Sequence, residues 1–588
     1  MNALASVIQR RTLAYSVSPL LGVLAGSAFA WIVLSIVFSP VQQNFPLNDD
    51  WAFARGAFLF ARGEGIHYSN WASMPQLGQW VWACPLLWLL GDSFFALRVS
   101  TIVLSWFGLW AFYDLLRQEG IPAGQAALAT GTLAFNPLFF LLQGTFMTDV
   151  PSLSFTLAAL ALYGRGLRSS GTGWFVGGCV VACLAAATRQ NTAAVAVVVA
   201  LLLWRHRPLR GPLLVWVTVL LPAAVAVAVH LWFQRRLDVR PTKPQLILPQ
   251  VLLQSPFVIV HCCGLSSLPL LLRKPTFRSW KLFAILAAVM VACAGYWLWY
   301  GIYLPYGGLF PYTENMLTPY GAFAGTRGGL GPYVAGERPL LLGTPSRVML
   351  SLLGCAAGAL LVVRAVRSLA ERGGLSLLPL LTLLQVPFIL IIPAYFDRYL
   401  LFFLPGALAL ALSTSMSEKS ETGWLRLQLA ALVVLGSVSL GLMHDWLAWN
   451  TARWELGQRA IDRRHIDPCD IEGGVEWDGW YAGIGGPRRR TETPRWPVLP
   501  FTREWCPRIR GRFVLSFSDV RGYRRLDAAS YSMWLIPGRR QFYFLELPPL
   551  PPTKAGEKPK PGGKTHRTGG ISGGRQSARF FKLREEER

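Results

Sequence analysis

Charged residues are scarce in this chain. Only 15% of its 588 residues are Asp, Glu, Lys or Arg, against about 25% in an ordinary soluble protein. That deficit, with 53% hydrophobic residues, excludes a chain folded wholly in water and puts most of it in lipid. Metal-ligating patterns are missing too. The nine cysteines form no Cys-x-x-Cys pair, and seven of them (Cys84, Cys179, Cys183, Cys262, Cys263, Cys293 and Cys355) fall in apolar runs, where Cys behaves as a small hydrophobe. His67, His230, His261 and His444 lack ligand spacing, so nothing points to a zinc site. The net charge of +25 comes without a helix-turn-helix, RNP or zinc-finger pattern, and no nucleic-acid partner is expected. No Ala-x-Ala-like cleavage site follows the first apolar segment, which therefore reads as a retained helix.

What is present is a succession of apolar stretches of about 18–25 residues, each long enough to cross a hydrocarbon core of roughly 30 Å. Spans are expected at 14–38, 95–116, 122–145, 151–164, 173–188, 192–204, 212–233, 246–271, 282–304, 346–363, 376–394, 398–416 and 424–443. This is an all-α polytopic membrane protein with about thirteen transmembrane helices. The basic residues collect in short loops, including Arg10-Arg11, Arg165 with Arg168, Arg205 with Arg210, and Arg364 with Arg367. The positive-inside rule places those loops and the N-terminus in the cytoplasm and the C-terminus outside. Arg235-Arg236 is the main violation. The stretch 51–62 reads as an interfacial amphipathic helix, and 74–91, carrying Pro75 and Pro85, as a re-entrant or juxtamembrane one.

Three regions follow. Residues 1–443 form the transmembrane module, with a first outer loop at 39–94. Residues 444–547 turn polar and read as a small extracytoplasmic α/β domain, in which Cys469 and Cys506 could pair. Residues 548–588 are rich in Pro, Gly and Lys and are expected to be disordered.

Under this topology four polar clusters share the outer face: Asp49-Asp50, Asp149, Arg189-Gln190, and Asp397-Arg398-Tyr399. Adjacent carboxylates beside a bilayer are costly unless they serve chemistry or bind a cation. A carboxylate can take a proton from an attacking hydroxyl, and a forked guanidinium can hold a phosphate through two hydrogen bonds. Each cluster also has a structural alternative. Asp149 before Val150-Pro151 suits a helix N-cap, Asp397-Arg398 suits an ion pair at a turn, and Arg189 could snorkel to head groups. Trp71, Trp80, Trp82 and Trp88 stand near the acids, where either sugar binding or the membrane aromatic belt would account for them.

At these residues the chain resembles the C-type (GT-C) lipid-linked glycosyltransferases, in particular the bacterial branch related to protein O-mannosyltransferases and the lipid A aminoarabinose transferase. Four elements carry the likeness: Asn48-Asp49-Asp50-Trp51 after the first helix, Gly91-Asp92-Ser93 followed by Arg98, Thr148-Asp149-Val150-Pro151, and Phe396-Asp397-Arg398-Tyr399 before Pro405. The resemblance covers about 14–443. It implies a GT-C fold and an inverting transfer of a sugar from a polyprenyl phosphate to a lipid, glycan or protein acceptor. The transfer would take place at the outer face of the cytoplasmic membrane. It also implies Asp49 as catalytic base, Asp50 as its acidic neighbour, Asp149 as a second acid, and Arg189 and Arg398 as phosphate contacts. The Asp49-Asp50 pair allows a divalent cation, Mg2+ or Mn2+, without requiring one. Where that family carries a His/Lys-Pro-Pro element, this chain has Ser73-Met74-Pro75-Gln76. No Trp-Trp-Asp-type signature is present, which argues against N-glycosylation. Two other functions remain open on sequence alone: a flippase for lipid-linked sugars, and a non-catalytic envelope assembly protein.

Overall fold

The computed structural model describes residues 18–39, 42–169, 171–205, 213–236, 255–273, 280–303, 312, 315–323, 333–372, 376–390, 396–412, 422–483 and 499–548. Arg10-Arg11, the loop 237–244 and the tail from 549 onward lie outside the described residues.

The chain is mostly helical. Its first half runs α1 (Ser18–Val37), α2 (Asp50–Ala61), α3 (Leu77–Leu90), α4 (Phe94–Gln118), α5 (Ala123–Ala134), α6 (Pro137–Gln143), α7 (Asp149–Ser169) and α8 (Thr172–Thr188). A 3-10 turn at Gln190–Ala193 leads into α9 (Ala194–Arg205) and α10 (Leu213–Arg236). The second half holds α11 (Ser255–Ser266), α12 (Leu268–Leu271), α13 (Trp280–Tyr303), α14 (Thr344–Arg372), α15 (Leu377–Leu390), a 3-10 turn at Asp397–Phe402, α16 (Leu404–Leu412) and α17 (Thr422–Arg464). Two short helices, α18 (Val475–Ala482) and α19 (Pro500–Trp505), belong to the C-terminal part. Among the described residues five helices are long and apolar enough to cross a membrane, six if one bent pair counts as a single span, and six shorter apolar helices accompany them. The protein is a multi-pass membrane protein. Helix α4 sits at its centre, with 67% of its most apolar window buried, whereas α1 turns most of its surface outward at 28%.

Several expected elements differ from those observed, each for a local reason. The span expected at 122–145 is broken into α5 and α6, which meet at 64°. Pro137 cannot donate to the preceding turn, and the Asn136 side chain accepts from the Leu138 N–H to start a new helix there. The span expected at 398–416 opens as a 3-10 turn and continues as α16. Helix α17 does not stop at Met443, where the sequence turns polar, but runs on to Arg464. From 441 to 453 every residue is buried, Trp446, Trp449 and Arg453 among them, so protein surrounds the helix there, and beyond that Leu456 and Ala460 continue one buried face. The segment expected as a helix at 51–62 is one, at Asp50–Ala61, and its first turns, Asp50, Trp51, Ala52, Phe53 and Ala54, are buried.

Small residues let the central helices meet closely. A side chain at Gly108 of α4 would overlap Ser154 of α7, and one at Gly264 of α11 would overlap the backbone at Gly358 of α14.

The C-terminal sheet has strand order β3-β4-β6-β5, from β3 (Ile471–Glu472), β4 (Phe513–Ser516), β5 (Arg524–Ser532) and β6 (Arg539–Glu546). β3 runs parallel to β4 and the other pairs are antiparallel. The preceding long loop adds to it: Ala335 bridges to Ser516, and the Val475 N–H donates to the Tyr333 carbonyl. A second, two-stranded hairpin joins β1 (Leu317–Thr318) to β2 (Gly321–Ala322). Helix α18, which follows β3, is fastened to α17 by an ion pair with both partners fully buried, Arg453 to Glu476 at 3.0 Å. Among the described residues no disulfide is formed, Cys469 and Cys506 included.

Candidate active site

Asp49 caps the start of α2, and the preceding Asn48 takes a left-handed backbone conformation (φ 55°) of the kind Asn tolerates better than most residues. This turn aims the two adjacent acids in opposite directions. Asp49 remains partly open: its Oδ1 accepts from the Trp71 indole N–H at 3.0 Å, and its Oδ2 from an Arg398 N–H at 3.1 Å. Asp50 points inward and is fully buried. Its oxygens accept from the Phe146 N–H at 2.7 Å and the Leu47 N–H at 3.2 Å. It is therefore a staple between the first outer loop and the corner ahead of α7.

Burial pushes the Asp50 carboxyl up to about 7, against the lowering influence of Arg98 and of the Leu47 and Phe146 N–H groups. Arg98, from the Gly91-Asp92-Ser93 element, supports the same loop by donating to the carbonyls of Gln43 and Phe45. Ser93 caps α4 by accepting from the Ala96 N–H at 3.1 Å, and Asp92 pairs with Arg62 at 2.5 Å. That motif is architectural.

The second acid, Asp149, opens α7 and pairs with Arg189. Arg189 follows α8, where the chain turns extended before the 3-10 turn. One of its N–H groups also reaches the Thr148 hydroxyl at 3.4 Å, and its guanidinium lies over the rings of Tyr399 and Phe402 at 5.2 and 5.5 Å. Arg398 lies over the other side of this aromatic patch, 5.6 Å from the Tyr399 centroid and 4.9 Å from that of Phe396. Two Asp–Arg pairs thus close on one tyrosine. Within them, Asp149 Oδ2 and Arg398 Nε have no hydrogen-bond partner among the described residues, although each is buried, where an unsatisfied polar atom is costly.

Asp397 does not join this cluster. It is fully buried and accepts from the Met316 N–H at 2.9 Å and the Leu317 N–H at 2.9 Å, which ties the 3-10 turn to the β1–β2 hairpin. Burial pushes its carboxyl up to about 6, opposed by those backbone donors and by Arg398. Of the eight residues in the four clusters, Asp49, Asp149, Arg189, Arg398 and Tyr399 come together, whereas the Gln190 amide meets His230 at 3.0 Å. Asp50 and Asp397 hold the loops that bring them there.

In the Asp49-Asp50 pair, both Asp50 oxygens accept from backbone N–H groups and a guanidinium lies beside Asp49. Among the described residues no group of three or more His, Cys, Asp or Glu side chains could hold a metal.

Sequence reasoning missed Trp71 as a partner of Asp49, since nothing in the pattern separates it from its neighbouring tryptophans. It also left the Ser73-Met74-Pro75-Gln76 loop without a role. In the structure this loop borders the Asp149 half of the site. The Thr148 hydroxyl meets Met74 Sδ at 2.7 Å, and the Gln76 N–H donates to the Thr188 carbonyl at 3.2 Å. The Gln76 amide is 1% exposed and without a partner for either of its polar atoms.

Residues 73–233 match the family model of dolichyl-phosphate-mannose-protein mannosyltransferases. The match bears out the resemblance to GT-C lipid-linked glycosyltransferases over α3 to α10, the segment that carries Asp149 and Arg189. Asp49 and Arg398 lie outside it. No curated protein matches the chain in sequence.

Among solved structures, ArnT from Cupriavidus metallidurans bound to undecaprenyl phosphate is 11% identical, with 90% of this chain and 98% of that chain covered and a TM-score of 0.39. The arabinofuranosyltransferase AftD from Mycobacteria is 14% identical, with 78% of this chain and 29% of that chain covered and a TM-score of 0.33. Likenesses of this size carry no further argument.

Proposed function

We propose that this protein is an inverting glycosyltransferase that moves a sugar from a polyprenyl-phosphate donor to an acceptor hydroxyl. By the charge distribution of its loops, it works at the outer face of the cytoplasmic membrane. The observation that carries the reading is the closure of the Asp49–Arg398 and Asp149–Arg189 pairs on Tyr399. An acid and a guanidinium side by side are what a displacement at a sugar phosphate asks for. The acceptor oxygen attacks the anomeric carbon and its proton passes to Asp49, which acts as general base. The carbon–oxygen bond to phosphate breaks, its electron pair leaves on the phosphate, and the single displacement inverts the anomeric centre. Arg189 and Arg398 hold the leaving polyprenyl phosphate, the forked guanidinium matching its oxygens. The unpartnered Arg398 Nε is a donor ready for that phosphate. Asp149 keeps Arg189 oriented over Tyr399.

The test is purified protein in lipid nanodiscs, offered a panel of polyprenyl-phosphate sugars. Release of polyprenyl phosphate together with a sugar-bearing product is expected for at least one donor. Movement of the intact donor across the bilayer without bond cleavage would overturn the proposal in favour of a flippase. Arg398→Lys keeps the charge but loses the fork, and is expected to raise the donor KM and lower kcat about 10- to 100-fold.

A further inference from the structure

Five tryptophans, Trp51, Trp71, Trp80, Trp82 and Trp88, crowd the first outer loop, and the last three are structural. Trp80 is 1% exposed, the Trp82 N–H donates to the Ser100 carbonyl, and the Trp88 N–H to the Ala61 carbonyl, each at 2.8 Å. Trp71 differs because its indole N–H is spent on Asp49 Oδ1. Its ring meets Phe501 of α19 edge-on (5.6 Å, 86°), Trp505 of the same helix (5.9 Å, 73°) and Trp51 of α2 (6.1 Å, 33°). The indole N–H groups of Trp51 and Trp505 have no acceptor among the described residues. Of the three indoles in this cluster, then, it is Trp71 that delivers a donor to the carboxylate.

Helix α19 is itself held by two buried acids of the C-terminal region. The Thr502 hydroxyl donates to Asp478 Oδ2 at 2.5 Å, and the Leu499 N–H donates to Glu472 Oε1 at 2.5 Å. Asp478 also accepts from the Gly473 N–H at 2.9 Å. A continuous set of contacts therefore runs from the C-terminal sheet through α19 and Trp71 to Asp49.

We infer that Trp71 is a positioning residue for the base, and that the C-terminal region sets its position through the Phe501–Trp505 clamp. This rests on the reading of Asp49 as general base. A carboxylate held only by Arg398 at Oδ2 is free to turn about its own axis. The second bond at Oδ1 fixes its plane, and with it the lone pair that must face the acceptor hydroxyl. Displacement of a reacting group by about 1 Å is enough to cost roughly a hundredfold in rate.

The experiment compares full-length variants in nanodiscs by steady-state transfer. Trp71→Phe keeps the ring and removes the donor. It is expected to lower kcat about 10- to 100-fold, the range for losing one hydrogen bond to a charged group, while donor KM stays within about twofold of wild type. Trp71→His, which keeps a ring N–H, recovers part of that loss. Phe501→Leu loosens the clamp and lowers kcat by a smaller factor. Combining it with Trp71→Phe adds nothing further, because both act through one contact.

Wild-type kcat in Trp71→Phe would overturn the inference, as would a change confined to KM or equal losses in the Phe and His variants. Asp49→Asn run alongside separates the two levels. An active Asp49→Asn removes the reading of the site itself, whereas an inactive Asp49→Asn beside a fully active Trp71→Phe removes only the role of Trp71.

Discussion

At the residue scale, two adjacent aspartates with the same chemistry have opposite surroundings. Asp49 faces a guanidinium and an indole N–H, while Asp50 faces two backbone N–H groups inside the protein. The sequence motif shows both acids but not this division, because it depends on the left-handed turn at Asn48 and on a partner, Phe146, nearly a hundred residues away. Asp397 and Arg398 divide in the same way.

Asp50 also makes stability depend on pH. Burial pushes its carboxyl up to about 7 in the folded protein, from its ordinary value of 3.8. Between those values the folded state holds a proton that the unfolded chain releases, so this contribution to stability is full below about 4 and fades as pH rises through about 7. Asp50→Asn is expected to flatten that part of the profile. It is also expected to cost about 1–3 kcal/mol, because the amide turns an N–H2 toward a backbone donor that then lacks an acceptor. Thermal unfolding of the two proteins from pH 4 to 8 checks both points. A parallel pH dependence in the variant would show that the slope originates elsewhere.

At the scale of elements, the apolar helices were legible wherever one long run stood between basic loops. The spans expected at 95–116 and 173–188 correspond to Phe94–Gln118 and Thr172–Thr188. Legibility failed where local chemistry interrupts a run or tertiary packing extends one. Asn136-Pro137 breaks the third span. Helix α17 continues past Met443 because residues through Arg453 are enclosed by protein on all sides, a packing that hydropathy does not register. The helix expected at 51–62 is observed as Asp50–Ala61, but the burial of its first turns is not legible, since its cover, α18, comes from a segment more than four hundred residues away.

That cover depends on one close approach. A side chain at Gly479 of α18 would overlap the Trp51 ring of α2. Gly479→Val is expected to destabilise the docking of α18 on α2 by about 1–3 kcal/mol, as overpacking does. The docking also bears on the clamp around Trp71, so faster limited proteolysis of the C-terminal region should accompany reduced turnover. Unchanged proteolysis and unchanged turnover would show that α18 tolerates displacement without effect on the site.

At the scale of the whole molecule, the active cluster gathers residues from four separate parts of the chain: the first outer loop, the α6–α7 corner, the end of α8 and the 3-10 turn before α16. Their order and expected sidedness were readable, because acids are rare in a chain with so few charges and stand out at helix ends. The pairing was not readable. No local pattern tells Arg189 to meet Asp149 and Arg398 to meet Asp49 across 349 positions of sequence. The C-terminal region, which reads as an appended domain, also packs its α19 against Trp71 beside the acid, so its removal should reach the site as well as the surface.

The central claim is that Asp49 is the base of a sugar transfer. The most direct measurement is product formation by purified Asp49→Asn beside wild type, with a donor the wild-type protein turns over. The substitution keeps the size of the side chain and its acceptor toward Trp71, and removes the proton-accepting charge. A loss of about 100- to 10,000-fold in kcat, the range for removing a general base, with thermal stability retained, is the predicted result. Transfer at the wild-type rate would contradict the account.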